Sequence, residues 1–222
     1  MNVEAKIPVR LEDRLDLGPG IVRIPASWQE YLDLLAECDY QTEYDNEEII
    51  LMSIASDPHE TIVSQIIAVL VNALFNEQDF TVKGSNRHVF IEEFQKDYAP
   101  DAHVVKGPPK IHTLRKGLTA NTNPWLVVEI LSPSTYVRDW NEKLPYYKQI
   151  PSLKHIVYIE QEHPFVSVYS RVGESAVWEN RDYYKMEESF DVAGQPIFLK
   201  DIYNKVIFPE KQEKPKRNGR KK

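Results

Sequence analysis

Two carboxylates stand where apolar strands are expected. Asp101 follows Pro100 and opens the run Ala102–Val105, and Glu129 interrupts the otherwise apolar run Trp125–Leu131. A carboxylate inside a buried strand loses its hydration, so it needs a cation, a hydrogen-bonding partner or a chemical role. Two such groups on neighbouring strands can converge on one divalent cation. Magnesium takes oxygen ligands, commonly one or two carboxylates completed by water and substrate phosphate. The structural alternative for Glu129 is an ion pair with Arg or Lys. For Asp101 it is turn chemistry, since Asp after Pro at a strand start is ordinary.

Other chemistries find less support. The six histidines, at 59, 88, 103, 112, 155 and 163, include no i, i+4 pair, and the single cysteine, Cys38, rules out a Cys-based zinc site or an internal disulfide framework. No phosphate-cradling glycine loop and no nucleophile elbow is present. His103 lies two residues past Asp101 and shares its strand face, as a supporting group or as an ordinary buried histidine. Tyr146-Tyr147 and Tyr183-Tyr184 could stack on bases, but aromatic pairs beside apolar strands more commonly build core.

The elements that must hold these groups follow from spacing. Ser27-Trp28-Gln29-Glu30 is a capping box opening a helix to about Cys38. Glu43–Met52 reads as a hairpin turning at Asp45-Asn46. Asp57-Pro58 starts a helix, with Asp57 as N-cap and Glu60 three residues on as the capping-box acid. Its apolar positions, Ile62, Ile66, Val69 and Ala73 among them, predict a wide buried face. Strands are predicted near 80–83, 88–91, 101–105, 125–131, 155–159 and 165–170, a helix over 139–149, and a long loop over 106–123. The order suits a mixed α/β sandwich rather than regular βαβ winding.

Composition sets the outer limits. The chain has 222 residues, 42% hydrophobic and 27% charged, which fits one folded domain with short appendages. The expected layout is an arm over 1–26, a domain over 27–208 and a basic disordered tail over 209–222. Residues 211–222 carry seven basic side chains and one acid and no apolar one. The rest of the chain therefore has a net charge of −13. A body this acidic excludes an indiscriminate DNA-coating protein. Seven charged residues within 1–17 leave no apolar signal core, and the 16-residue stretch Thr61–Asn76 is too polar and short to span a bilayer. These features, with a free cysteine, predict the cytoplasm and no membrane partner.

Beyond the single residues, a longer pattern emerges. Pro100-Asp101, the string Val127-Val-Glu-Ile-Leu-Ser-Pro-Ser-Thr135, Asp139, Lys143 and Tyr147 together resemble the Uma-type restriction-endonuclease family of the PD-(D/E)XK nuclease superfamily. The flanks agree: Glu48–Ser53 and His59 before the long helix, and Ile150–Tyr158 after the second. The resemblance spans roughly residues 27–205. It implies an α/β, restriction-endonuclease-like core: a mixed sheet flanked by helices, with extra hairpins. It implies Mg²⁺-dependent phosphodiester hydrolysis of nucleic acid, DNA above all, with Mn²⁺ as a substitute and a homodimer as the favoured assembly. Asp101 and Glu129 would hold the metal. The strict motif places Lys at 131, on the face of Glu129, where Leu131 stands. The lysine is then expected on the following helix, which nominates Lys143 as the third catalytic residue. The alternative for Lys143 is an exposed ion pair with Asp139, worth ~0.2–0.5 kcal/mol, and Pro145 predicts a kink that could turn it away. Related nucleases also nominate Glu60 as a carboxylate near the metal. Leu131 and Pro145 favour the competing reading, a non-catalytic descendant that binds nucleic acid or serves in assembly. A plain β-rich interaction domain is a third.

Overall fold

The computed structural model describes residues 7–209. The basic tail therefore lies outside the described residues, apart from its first position. The elements run, in chain order, α1 (Leu11–Leu15), β1 (Val22–Pro25), α2 (Trp28–Leu35), β2 (Thr42–Asp45), β3 (Glu48–Leu51), α3 (Asp57–Ala73), β4 (Phe80–Gly84), β5 (Val89–Ile91), β6 (Lys96–Tyr98), β7 (Ala102–Lys106), β8 (Ile111–Arg115), β9 (Leu118–Asn121) and β10 (Pro124–Leu131). Then come α4 (Tyr136–Arg138), a π-helical segment (Asp139–Lys143), α5 (Leu144–Tyr147), β11 (His155–Glu160), β12 (Val166–Arg171), β13 (Trp178–Tyr183), β14 (Ser189–Val192), β15 (Gln195–Phe198) and α6 (Leu199–Ile202).

A six-stranded mixed sheet, ordered β13-β12-β11-β10-β7-β4, forms the centre, and β10 and β11 are its parallel pair. The alternation of β10 decides what each face does. Leu126, Val128 and Ile130 join the core beneath Ile62, Ile66 and Leu70 of α3. Val127 and Leu131 face the opposite way, into a second core with Leu144, Tyr147 and Ile150. Helices thus cover both faces, as a buried parallel pair requires. A seven-stranded sheet, β1-β3-β2-β6-β5-β9-β8, lies beyond the second core and adds Val89, Ile91 and Tyr98 to it. Strand β1 falls within the expected N-terminal arm and pairs along its whole length with β3.

Three local expectations are corrected. The hairpin turns on Asn46 and Glu47, both at positive φ (50° and 60°), which is the twist a two-residue hairpin loop needs. Asp45 instead ends β2 and is fully buried. Residues 106–123 are not one long loop. They hold the hairpin β8–β9, closed by Gly117 at φ 86°. Helix α3 is capped by Ser56, whose hydroxyl accepts from the His59 N–H at 3.3 Å, with Pro58 in the first turn. Asp57 is already helical, so Glu60 is not the capping-box acid. Ser56→Ala should therefore cost about 1 kcal/mol, a fall of roughly 2–4 °C in Tm. Asp57→Ala should cost much less, and a thermal melt of both variants checks the assignment.

Pro145 does break the helix of 139–149, in an instructive way. Proline has no N–H to donate and its ring crowds the preceding turn. The chain answers with the wide π turn just before it, in which the Leu144 N–H donates to the Asp139 carbonyl five residues back. The turn leaves Asp139 and Lys143 both buried against the sheet.

Candidate active site

Strand β10 ends at Leu131, and Ser132–Thr135 turn the chain into α4. The Ser132 N–H donates to the Thr135 hydroxyl and the Thr135 N–H to the Ser132 hydroxyl, at 3.3 and 3.2 Å. This closed turn brings the π segment back over Glu129. Lys143 Nζ then lies 3.0 Å from Glu129 Oε1, 2.9 Å from Glu43 Oε1 and 3.3 Å from Asp139 Oδ1. The Tyr147 hydroxyl donates to the same Glu129 oxygen at 2.6 Å. The ion pair of Lys143 with Asp139 exists, but Lys143 is 1% exposed and its position is not the solvated one expected for that alternative. Leu131 is fully buried in the second core, so the strict motif's lysine position is a packing position here.

Asp101 stands at the entry to β7. Its Oδ2 accepts from the Ile130 N–H at 2.7 Å, tying it to the strand residue beside Glu129. Its Oδ1 lies 3.5 Å from His59 Nε2, and His59 Nδ1 is 3.6 Å from Glu60 Oε1. Burial opposes charge on His59, yet Asp101 and Glu60 raise its pKa above the ordinary value. Asp101, Glu129, Asp139, Lys143, His59 and Glu60 all line one cleft of about 290 Å³. The expected triad is therefore brought together. His103 is not part of it: it is fully buried, its Nε2 faces Asn121 Oδ1 at 3.2 Å, and burial pushes its pKa down to about 4.

The electrostatics are those of a crowded acidic pocket. Burial, with Asp139, Asp101 and Glu43 nearby, pushes the Glu129 carboxyl up to about 8 despite Lys143. Burial also raises Asp139. Lys143 is held above its ordinary value by Glu129, Glu43 and Asp139, against the cost of its own burial. Glu43 was not singled out from the sequence. It is fully buried on β2, pairs with Arg138 Nη1 at 2.6 Å, and accepts from the Ala99 N–H at 2.8 Å. Asp45 and Lys96 extend this buried network, and Arg138 Nη2 reaches Asp45 at 4.0 Å. The only sequence signal was two acids at i, i+2 in a hairpin strand, which ordinarily marks a solvated face.

Among the described residues no group of three or more His, Cys, Asp or Glu side chains is placed to hold a metal ion. The carboxylates lining the cleft are Glu60, Asp101, Glu129 and Asp139, and Asp101 and Glu129 are the pair expected to supply hard oxygen donors. That pair fits magnesium, which takes one or two carboxylates and leaves further positions to water and phosphate.

Comparison with known proteins gives the chain's family and its fold. The chain is 29% identical over 145 residues to the uncharacterized protein sll1609 of Synechocystis sp., covering 65% of this chain and 80% of that protein. A crystal structure from Anabaena variabilis, described as "a putative nuclease belonging to DUF820", superposes with a TM-score of 0.57 at 17% identity, over 79% of this chain and 98% of that one. It shares the fold. Residues 28–198 match the family model Uma2, "Putative restriction endonuclease". That match spans Asp101, Glu129 and Lys143 and most of both cores, and the chain is a member of the Uma2 family.

Proposed function

We propose that the protein is a metal-dependent endonuclease that hydrolyses phosphodiester bonds of DNA, with Asp101 and Glu129 as metal ligands and Lys143 as the third catalytic residue. The observation that supports this most is that these three side chains, distant in sequence and buried or nearly so, share one open cleft. Asp101 and Glu129 would hold Mg²⁺, which when bound polarises a phosphate and lowers the pKa of water. Asp101 is fixed by the Ile130 N–H, so its outer oxygen is oriented without substrate. Tyr147 and Lys143 fix Glu129 in the same manner. The Lys143 ammonium is the fixed positive charge in the cleft, placed to offset charge that develops on the phosphate. The seryl and threonyl hydroxyls of 132–135 line the same cleft and offer neutral donors to phosphate oxygens.

The raised Glu129 makes the metal step pH-dependent. Its folded value, about 8, exceeds the ordinary 4.5, so its contribution to metal-free stability is complete below about 4.5 and is lost as pH rises through about 8. Mg²⁺ competes with that proton. The rise in Tm on adding Mg²⁺ should therefore be larger at pH 8.5 than at pH 6. Equal rises would show that Glu129 is not a ligand. Activity itself is tested with a labelled DNA duplex, cleaved in Mg²⁺ and intact in EDTA. No cleavage under any divalent cation would favour the alternative, a nuclease fold kept for nucleic-acid binding or assembly.

A further inference from the structure

An acidic protein that acts on DNA must carry a local surface the backbone can approach. A second cleft, of about 570 Å³, opens beside the first and is lined in part by Lys83, Ser85, Asn86, Arg87 and Asn121, with no acidic residue in its wall. The two clefts meet at Ser85, which lines both. That junction is held in place by Gln41, whose amide donates to the carbonyls of Ser85 and Ala99 at 3.1 and 3.4 Å.

The charge pattern is local and deliberate in position. No Asp or Glu occurs in residues 80–91 or in residues 102–128, although the chain has 34 of them. The latter stretch carries Lys106, Lys110, Arg115 and Lys116 and includes the β8–β9 hairpin beside the second cleft. Among the described residues, Lys83 and Arg87 have no carboxylate within ion-pair distance, whereas the cations around the first cleft are all paired. Arg87 is nonetheless oriented: its Nε donates to Asn121 Oδ1 at 2.9 Å, and its Nη1 to the Thr119 carbonyl and hydroxyl at 2.8 and 2.7 Å. Asn121 is fully buried, and its amide nitrogen has no hydrogen-bond partner. Neutral anchors thus fix the Arg87 guanidinium without neutralising it, beside the Lys83 ammonium in the same cleft.

We infer that the second cleft binds backbone phosphates of the DNA strand flanking the scissile bond, with Lys83 and Arg87 as phosphate contacts and Ser85 at the passage between binding and chemistry. The inference rests on the nuclease reading of the first cleft. It adds where the strand runs and predicts that affinity and chemistry can be separated.

The experiment is fluorescence anisotropy of a labelled duplex with the full chain in EDTA, across a salt series, together with cleavage of the same duplex in Mg²⁺. Lys83→Ala should weaken binding about 3–10-fold at low salt. It should also reduce the log–log salt slope by about 0.9, the value of one phosphate contact. Lys200→Ala, the same charge change on α6, should leave both unchanged. At limiting protein, Lys83→Ala should cleave about 3–10-fold more slowly, in step with its lost affinity, while Lys200→Ala cleaves at the wild-type rate. If Lys83→Ala and Lys83→Gln both bind with wild-type affinity and slope while wild type cleaves, the second cleft is not on the DNA path and the nuclease reading stands. If Lys83→Ala and Lys200→Ala weaken binding equally, the effect is one of net charge and the inference fails. If wild type neither binds nor cleaves DNA, both fall together.

Discussion

Replacing Lys143 by alanine should cost about 3–5 kcal/mol of folding stability and reduce DNA cleavage by orders of magnitude. The first effect follows from what surrounds it. Lys143 is the shared cation of Glu43, Glu129 and Asp139, all buried, and removing one partner of a buried ion pair leaves the other charges uncompensated. For a chain of this size that is a fall of roughly 10 °C in Tm. The loss should shrink toward acid pH. Glu129 and Asp139 are already raised by burial, and without the ammonium they take up protons more readily still. Guanidinium denaturation at pH 5.5 and 8.5 reads this directly. Arginine should rescue poorly at either pH, because a planar fork cannot replace a point charge lying between three carboxylates. Cleavage is measured below the variant's own melting range, so that lost chemistry is not confused with lost fold. Wild-type stability and rate in Lys143→Ala would return the residue to an ordinary partner of Asp139.

Asp101→Asn should do the opposite to stability and the same to activity. The asparagine carbonyl can still accept from the Ile130 N–H, so the entry to β7 is preserved. Losing the negative charge relieves its repulsion of Glu129, so metal-free stability should equal or exceed wild type. Mg²⁺ binding, followed by calorimetry, should be abolished. With several kcal/mol of metal assistance removed, cleavage should fall by about 10³-fold or more. Unchanged metal affinity in Asp101→Asn would remove it from the ligand set.

How much of this was legible depended on contrast. Glu129 stood out because every neighbour in its strand is apolar, and Asp101 because it opens a strand after proline. Their convergence follows from the antiparallel pairing of β7 with β10, which two adjacent apolar runs suggest. Lys143 was reached through the resemblance. Spacing alone could not show that a π turn would absorb Pro145 and leave the ammonium facing Glu129. Glu43 and Asp45 were missed because their cations, Arg138 and Lys96, come from distant segments, and only the packed second core brings them together. The β8–β9 hairpin was missed because Lys106, Gly107, Pro108, Pro109 and Lys110 before it and its Lys116-Gly117 turn mimic a loop. The strand character of Ile111–Arg115 comes from pairing with Leu118–Asn121, with only Leu114 of its own residues buried.

The cleft of Asp101, Glu129 and Lys143 is proposed to cut DNA with a divalent cation. The most direct measurement of this is nicking of supercoiled plasmid by wild type and Asp101→Asn, purified side by side, each assayed in Mg²⁺ and in EDTA. Open-circular and linear product is expected for wild type in Mg²⁺ alone, and intact plasmid in the other three reactions. Equal nicking by the two proteins, or nicking by wild type that persists in EDTA, would contradict it.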